Sequence, residues 1–293
     1  MLDRGDQLSE EDTRAKLIDP ALHQRGWSED LIKREETRGM VEIGPDGKPR
    51  RQKRGRTDYT LRIRVARDTQ PVAIALIEAK ASEKAPGHGL EQGKRYAERA
   101  QRLNVSFVFS SNGHRFVEYD RTTGLTSDSK PMHEFPAPAE LRERYERAMG
   151  FSLDSPQATP LLARYPGGEA TRRYYQDAAI RAAIEKIARG EKRILLSLAT
   201  GTGKTFIAVN LLRRIAEAKQ LKRALFICDR DELRTQALTA FQNNFGTDAQ
   251  AASRGNPEKN ARIVIATYQT LGVSGDTEGD ANATFFTDNY PED

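Results

Sequence analysis

Cysteine is almost missing from this sequence. The 293-residue chain has one, Cys228, inside an apolar run, which excludes an internal disulfide framework and fits a reducing compartment. No stretch approaches the ~20 apolar residues that a membrane span needs, and residues 1–20 are too charged for a signal peptide. A cytoplasmic protein with no membrane partner is expected. Histidine is scarce as well, and His88 and His114 sit in turns without partners at metal-ligand spacing, so both read as ordinary surface residues. Internal repeats are absent.

Charge is what the chain has in quantity. Lys and Arg number 47 against 42 Asp and Glu, a net charge of +5 with 30% of residues charged, which favours an anionic partner without naming it. The length suggests two domains, each large enough to bury its own core.

The most informative stretch is Arg193 to Thr205, R-I-L-L-S-L-A-T-G-T-G-K-T. Ile194, Leu195, Leu196 and Leu198 form an apolar run of the kind a buried parallel strand shows, and it breaks into glycines where a helix must begin. Gly201 and Gly203 let backbone N–H groups close around phosphate oxygens at a helix N-terminus. Lys204 supplies a point charge to the β/γ-phosphates and the Thr205 hydroxyl can ligate Mg²⁺, with Thr200 and Thr202 completing the ATP-binding loop. Leu198 stands where the strict motif has Gly, but A-T-G-T-G-K-T resembles the form used by superfamily 2 helicases.

In chain order, residues 7–40 read as two helices. The first starts at Ser9-Glu10-Glu11-Asp12; the second, capped by Ser28-Glu29-Asp30, carries Glu35. From Gly44 to Arg56 the chain is a turn-rich basic loop in which Arg50, Arg51, Lys53 and Arg54 suit DNA phosphate. Two strands follow, Thr57 to Val65 and Val72 to Lys80. Period two projects Glu78 and Lys80 from one face, and an antiparallel hairpin lets Asp58 meet Glu78. Two carboxylates can hold Mg²⁺ while the lysine orients a water or stabilises added negative charge, which is what phosphodiester hydrolysis needs.

Asp58, a gap, then Glu78-x-Lys80 resembles the PD-(D/E)xK nuclease superfamily. After the turn Pro86 to Gly89, the helix Leu90 to Leu103 places Gln92 and Tyr96 on one face, and this Gln-x-x-x-Tyr helix resembles the RecB-like branch. In that resemblance Glu35 stands for the acidic residue of the first helix. Val105 to Ser110 and Arg115 to Tyr119 read as a further hairpin, and an amphipathic helix with Leu141, Tyr145 and Met149 closes the domain. Residues 151–168, with three prolines and a Gly-Gly pair, read as a linker.

The second domain, 169–293, opens with a helix from Thr171 to Arg189, and Gln176 matches the helicase Q motif, whose carboxamide selects adenine. The strands Arg223 to Cys228 and Arg262 to Thr267, alternating with helices, imply a parallel doubly wound sheet. Their exits, F-I-C-D-R-D-E-L with Arg230 and I-A-T-Y-Q-T-L, resemble the nucleic-acid-contacting motifs Ia and Ib of helicases. Beyond Gly272 the chain is polar, Gly-rich and acidic, and no Asp-Glu box follows. Turnover of ATP by this stretch alone is therefore expected to be poor.

The whole reads as α/β: a PD-(D/E)xK nuclease domain with a central mixed sheet over 1–150, then a RecA-like P-loop domain. That order resembles the N-terminal portion of the restriction (R) subunit of type I restriction-modification enzymes. The resemblance implies an ATP-driven translocase on double-stranded DNA that cuts with Mg²⁺, with modification and specificity subunits as partners and S-adenosylmethionine used only through the modification subunit. A helicase-nuclease of another anti-phage or repair system, or a scaffold on an inactive nuclease fold, would share many of these features.

Overall fold

The computed structural model describes residues 7–37, 41–43, 49–51, 56–99, 104–164, 174–253, 256–258 and 260–271. Its contacts divide the chain into two compact units, Met1–Leu196 and Ser197–Asp293.

The first unit opens as expected. The Ser9 hydroxyl accepts from the Asp12 amide and caps a continuous helical run: α1 (Glu10–Thr13), a π-helical turn (Arg14–Ile18) and α2 (Asp19–Gln24). Thr13, Ile18 and Leu22 give it one buried face. The second expected helix does not form. Ser28 leads only into a 3₁₀ turn, Glu29–Leu31, and the chain then extends as β1 (Ile32–Thr37). A lone helix of this length is marginal in water, whereas five registered pairs with a neighbouring strand supply backbone partners at once. Glu35 therefore lies on a strand.

Short strands β2 (Val41–Ile43) and β3 (Pro49–Arg51) pair with each other. Lys53, Arg54 and the side chains of Arg50 and Arg51 lie outside the described residues, and so do residues 44–48, 52 and 55 of the basic loop. The strands β4 (Arg56–Ile63) and β5 (Val72–Ala79) form the expected antiparallel pair. After helix α3 (Leu90–Arg99) come β6 (Phe107–Ser111), parallel to β5, and then β7 (Arg115–Asp120), β8 (Leu125–Thr126) and β9 (Lys130–Pro131). The sheet is mixed, ordered β1-β4-β5-β6-β7-β8 with β9 also on β7.

All eight residues of β5 are buried, so both faces of the sheet are covered at its centre. On one face Leu90 and Ala97 of α3 pack with Leu76 and Val108. Elsewhere in the core Phe109, Phe116 and Phe135 stack edge to face. Helix α4 (Pro138–Met149) buries Leu141 and Tyr145 and ends on Gly150 in the left-handed region, as its sequence pattern anticipates.

The stretch expected to be a linker is packed instead. Phe151, Leu153, Leu161 and Leu162 are buried, Thr159–Leu162 forms α5, and the Gln70 amide donates to the Leu162 carbonyl at 2.8 Å. Prolines and glycines signalled a break in regular structure, but the apolar residues among them find the core. Next, α6 (Tyr174–Ala188) also belongs to the first unit, so the contact boundary falls at 196/197 and not at 150–169.

The strand expected before the phosphate loop, at the 196/197 boundary, is not formed. Residues 193–199 have no regular structure and join no ladder, and Leu195 is 92% exposed. An apolar run becomes a strand only beside a neighbour that takes its hydrogen bonds, and among the described residues it has none. Helix α7 (Lys204–Glu217), β10 (Ala224–Cys228), α8 (Asp231–Phe245), β11 (Ala249–Ala251) and β12 (Ile263–Thr267) follow. The sheet β10-β12-β11 is parallel, as expected. Double winding is not realised among the described residues. Val209 of α7 and Phe241 of α8 share one cluster with Ile263 and Ile265 on one face, while Leu225 and Ile227 of β10 stay more than a third exposed. No described helix is long and apolar enough to cross a membrane.

Candidate active site

The register of β4 against β5 assembles the site. Tyr59 pairs with Ile77, so the next step along the ladder sets Asp58 opposite Glu78, and Lys80 follows two residues on from the same face. Asp58 Oδ2 accepts from the Ala79 amide at 2.7 Å, which fixes the carboxylate at the strand end. Glu78 Oε1 accepts from Lys80 Nζ at 2.7 Å. The trio expected from sequence is thus brought together.

Two further residues join it that the sequence patterns did not single out. Glu10, the first residue of α1, lies with Oε2 3.6 Å from Lys80 Nζ. Arg14, in the π-helical turn, reaches Asp58 Oδ1 at 3.4 Å and Glu35 Oε1 at 3.2 Å. So the acid supplied by the first helix is Glu10. Glu35 borders the site too, but from β1 and through Arg14. Glu10 was legible only as part of a capping run; nothing local distinguishes a first-turn acid that serves a helix dipole from one that also faces a lysine.

Helix α3 presses its N-terminus onto this cluster. A Cβ on Gly89 would stand 2.7 Å from Glu78 Cγ and 2.8 Å from Lys80 Cε, so any larger residue would displace those side chains. The Gly89 amide donates to Ser110 Oγ at 3.0 Å. One turn on, Gln92 Nε2 donates to Tyr96 Oη at 3.0 Å, the pairing that four-residue spacing implies.

Burial dominates the electrostatics. It pushes the Glu78 carboxyl up to about 7, helped by the charge of Asp58 and opposed by the bond from Lys80. Asp58 is raised as well, first by burial and then by Glu10, against the lowering effects of the Ala79 amide, Arg14 and Lys80. Burial alone would lower Lys80, but its bond to Glu78 and the charges of Glu78, Glu10 and Asp58 outweigh it and the ammonium is held above its usual value.

A divalent cation fits this donor set. Glu78 is 3% exposed, and its Oε2 is buried with no hydrogen-bond partner among the described residues. An orphaned carboxylate oxygen is costly unless a cation uses it. Among the described residues no three acidic, His or Cys side chains converge tightly enough to cage a metal by themselves. An ion here would keep water or phosphate oxygens in its shell, as Mg²⁺ commonly does.

In the second unit Gly201 and Gly203 have φ of 78° and 84°, and Gly203 caps the 14-residue α7. Lys204 Nζ donates to the Ala199 carbonyl at 3.1 Å and Thr202 Oγ1 to the same oxygen at 2.7 Å, so the loop closes on itself. Gln176 belongs to the first unit, on α6, and is 4% exposed. At the carboxyl ends of β10 and β12, the Tyr268 amide donates to the Cys228 carbonyl and Gln269 Nε2 to the Asp229 carbonyl. Asp229 and Gln269 border a depression of about 610 Å³ that Arg230, Asp231, Arg234 and Thr270 also line.

Comparison with known proteins agrees with both halves. The family described as "Type III restriction enzyme, res subunit" matches residues 169–289. The endonuclease subunit of the type I restriction enzyme EcoAI from Escherichia coli is 32% identical over 90% of this chain, and that of EcoKI from strain K12 is 27% identical over 90%. The chain spans about a third of the length of these curated relatives, 32% and 27% respectively. A solved fragment of an HsdR subunit of a type I restriction enzyme from Vibrio vulnificus YJ016 superposes with a TM-score of 0.68 at 30% identity, covering 90% of this chain and 48% of that one. The resemblance drawn from the motifs is therefore borne out along nine tenths of the chain.

Proposed function

We propose that this chain is the N-terminal, nuclease-bearing portion of a type I restriction subunit, and that the first unit hydrolyses phosphodiester bonds in double-stranded DNA. The observation that carries this is Asp58 opposite Glu78, with Glu78 Oε2 buried and unpartnered among the described residues and Lys80 at hand. Asp58 and Glu78 would hold Mg²⁺, with water or phosphate oxygens filling the rest of its shell. When bound, that ion polarises the scissile phosphate and lowers the pKa of a water. Lys80, charged and half-buried beside Glu78, stabilises negative charge on the phosphate or orients the attacking water. Gln92 and Tyr96 steady the α3 face beside the catalytic strand.

In the second unit the α7 N-terminus and Thr200 to Thr205 suit the phosphates of ATP, with Lys204 leaving the Ala199 carbonyl for the β/γ-phosphates and Thr205 meeting the nucleotide's Mg²⁺. Arg230 and the basic run Arg50, Arg51, Lys53 and Arg54 would meet DNA phosphate. Modification and specificity subunits would supply target recognition, and S-adenosylmethionine would enter only with the modification subunit.

The test is Mg²⁺-dependent nicking of supercoiled plasmid by the 293-residue chain together with calorimetric Mn²⁺ binding. Asp58→Ala and Lys80→Ala should abolish nicking, Asp58→Ala should also lose Mn²⁺, and Lys204→Ala should lose nucleotide binding while nicking persists. A chain whose Mn²⁺ binding is indifferent to Asp58 would end the proposal.

A further inference from the structure

Arg14 is placed by two departures from regular geometry. The helix that carries it widens into a π turn at Arg14, and such turns re-aim side chains and recur at functional sites. Facing it, Glu35 adopts φ of 50° inside a strand, a left-handed conformation that strains a non-glycine residue. The ladder is in register on either side, Arg34 with Tyr59 and Glu36 with Thr57, so Glu35 stands opposite Asp58. Both distortions end at the same guanidinium.

The two oxygens of Asp58 have different duties. Oδ2 is committed to the Ala79 amide at 2.7 Å. Among the described residues Oδ1 has only the long 3.4 Å contact from Arg14 Nη1, while Arg14 Nη2 is closer to Glu35 Oε1 at 3.2 Å. Four carboxylates, Glu10, Glu35, Asp58 and Glu78, thus surround two cations, Arg14 and Lys80. The oxygen that a divalent ion would need is the one Arg14 holds most loosely.

We propose that Arg14 is a positioning residue that competes with the divalent ion for Asp58 Oδ1, and that Glu35 sets the competition by holding the guanidinium when the ion takes its place. This rests on the metal reading of the Asp58–Glu78 pair. Glu35 then acts only through Arg14, without binding the ion itself, and its strained backbone aligns it for that role. Retained by Glu35, the guanidinium keeps a positive charge beside the site where phosphate would arrive.

The test is Mn²⁺ binding to the 293-residue chain, by calorimetry or electron paramagnetic resonance, in Arg14→Met, Glu35→Gln, the double variant and Asp58→Asn, each checked for native circular dichroism. Arg14→Met should tighten Mn²⁺ roughly 3- to 10-fold and Glu35→Gln should weaken it by a similar factor, the size expected of directly coupled side chains. In the Arg14→Met background, Glu35→Gln should change the affinity less than about twofold. Arg14→Lys, which keeps the charge without the fork, should fall between wild type and Arg14→Met. Weaker Mn²⁺ binding in Arg14→Met, or fully multiplicative effects in the double variant, overturns the proposal and leaves Arg14 a strut. Binding that survives Asp58→Asn overturns the metal reading, and this proposal with it.

Discussion

Arg181, on the helix that precedes the phosphate loop, donates through Nη2 to the main-chain carbonyl of Ala73 at 2.9 Å. Ala73 lies on β5, the strand that carries Glu78 and leads directly to Lys80. Around that bond, Glu185 Oε1 accepts from Arg181 Nε and from Tyr145 Oη, and Glu185 Oε2 accepts from Asn104. Arg181 and Glu185 are both more than nine-tenths buried. A network of this kind is satisfied only as a whole, so removing one partner strands a buried charge.

Glu185→Ala should therefore destabilise the first unit by about 3 kcal/mol. Trp27, the one tryptophan, is buried in that unit with Nε1 on the Pro136 carbonyl, so urea unfolding followed by its fluorescence isolates the effect. A loss below about 1 kcal/mol would mean that α6 is held by packing and not by these bonds.

Glu78 gives a pH signature in metal-free buffer. Its folded carboxyl sits up to about 7, above the ordinary 4.5, so between those values the native chain holds the proton that the unfolded chain has released. Stability from this group is unpenalised below 4.5, falls as pH rises through the window, and stays reduced above about 7. Glu78→Gln imitates the protonated form. Thermal melts in chelator should show little difference from wild type at pH 4.5 and a variant more stable by on the order of 2–3 kcal/mol at pH 8, although inactive. A difference that does not grow with pH would refute the raised carboxyl.

Gly89 and Gly93 separate site geometry from packing. Gly89→Ala puts a methyl against the Glu78 and Lys80 side chains, which can swing away, so cleavage and Mn²⁺ affinity should each fall at least about tenfold with little change in melting. Gly93→Ala instead meets Val108 Cγ1 at 2.8 Å in the core and should cost about 1–3 kcal/mol of stability. Equal melting losses in the two variants would remove the special role of Gly89.

The basic run is tested by salt. Neutralising Arg50, Arg51, Lys53 and Arg54 together should weaken DNA binding and reduce the slope of log affinity against log salt by up to about 3–4, near one unit per lost phosphate contact. An unchanged slope returns the run to solvent.

Much of the chemistry was determined by the sequence itself, because it depends on parity and spacing. A strand's two-residue period puts Glu78 and Lys80 on one face, four helical residues bring Gln92 to Tyr96, and glycine before Gly203-Lys204-Thr205 allows the left-handed turns of a phosphate loop. These are short-range steric facts that hold whatever the rest of the chain does. Tertiary structure decided the remainder. It made 32–37 a strand against β4, drew 151–164 and α6 into the first unit, left 193–198 without a ladder, and carried Arg14 to the Asp58 carboxylate, 44 residues away, and Glu10 to the still more distant Lys80 ammonium. Local propensities differ by a few tenths of a kcal/mol per residue, whereas a ladder, a buried ion pair or an apolar face contributes several, and which distant segment supplies it is not written in any local pattern.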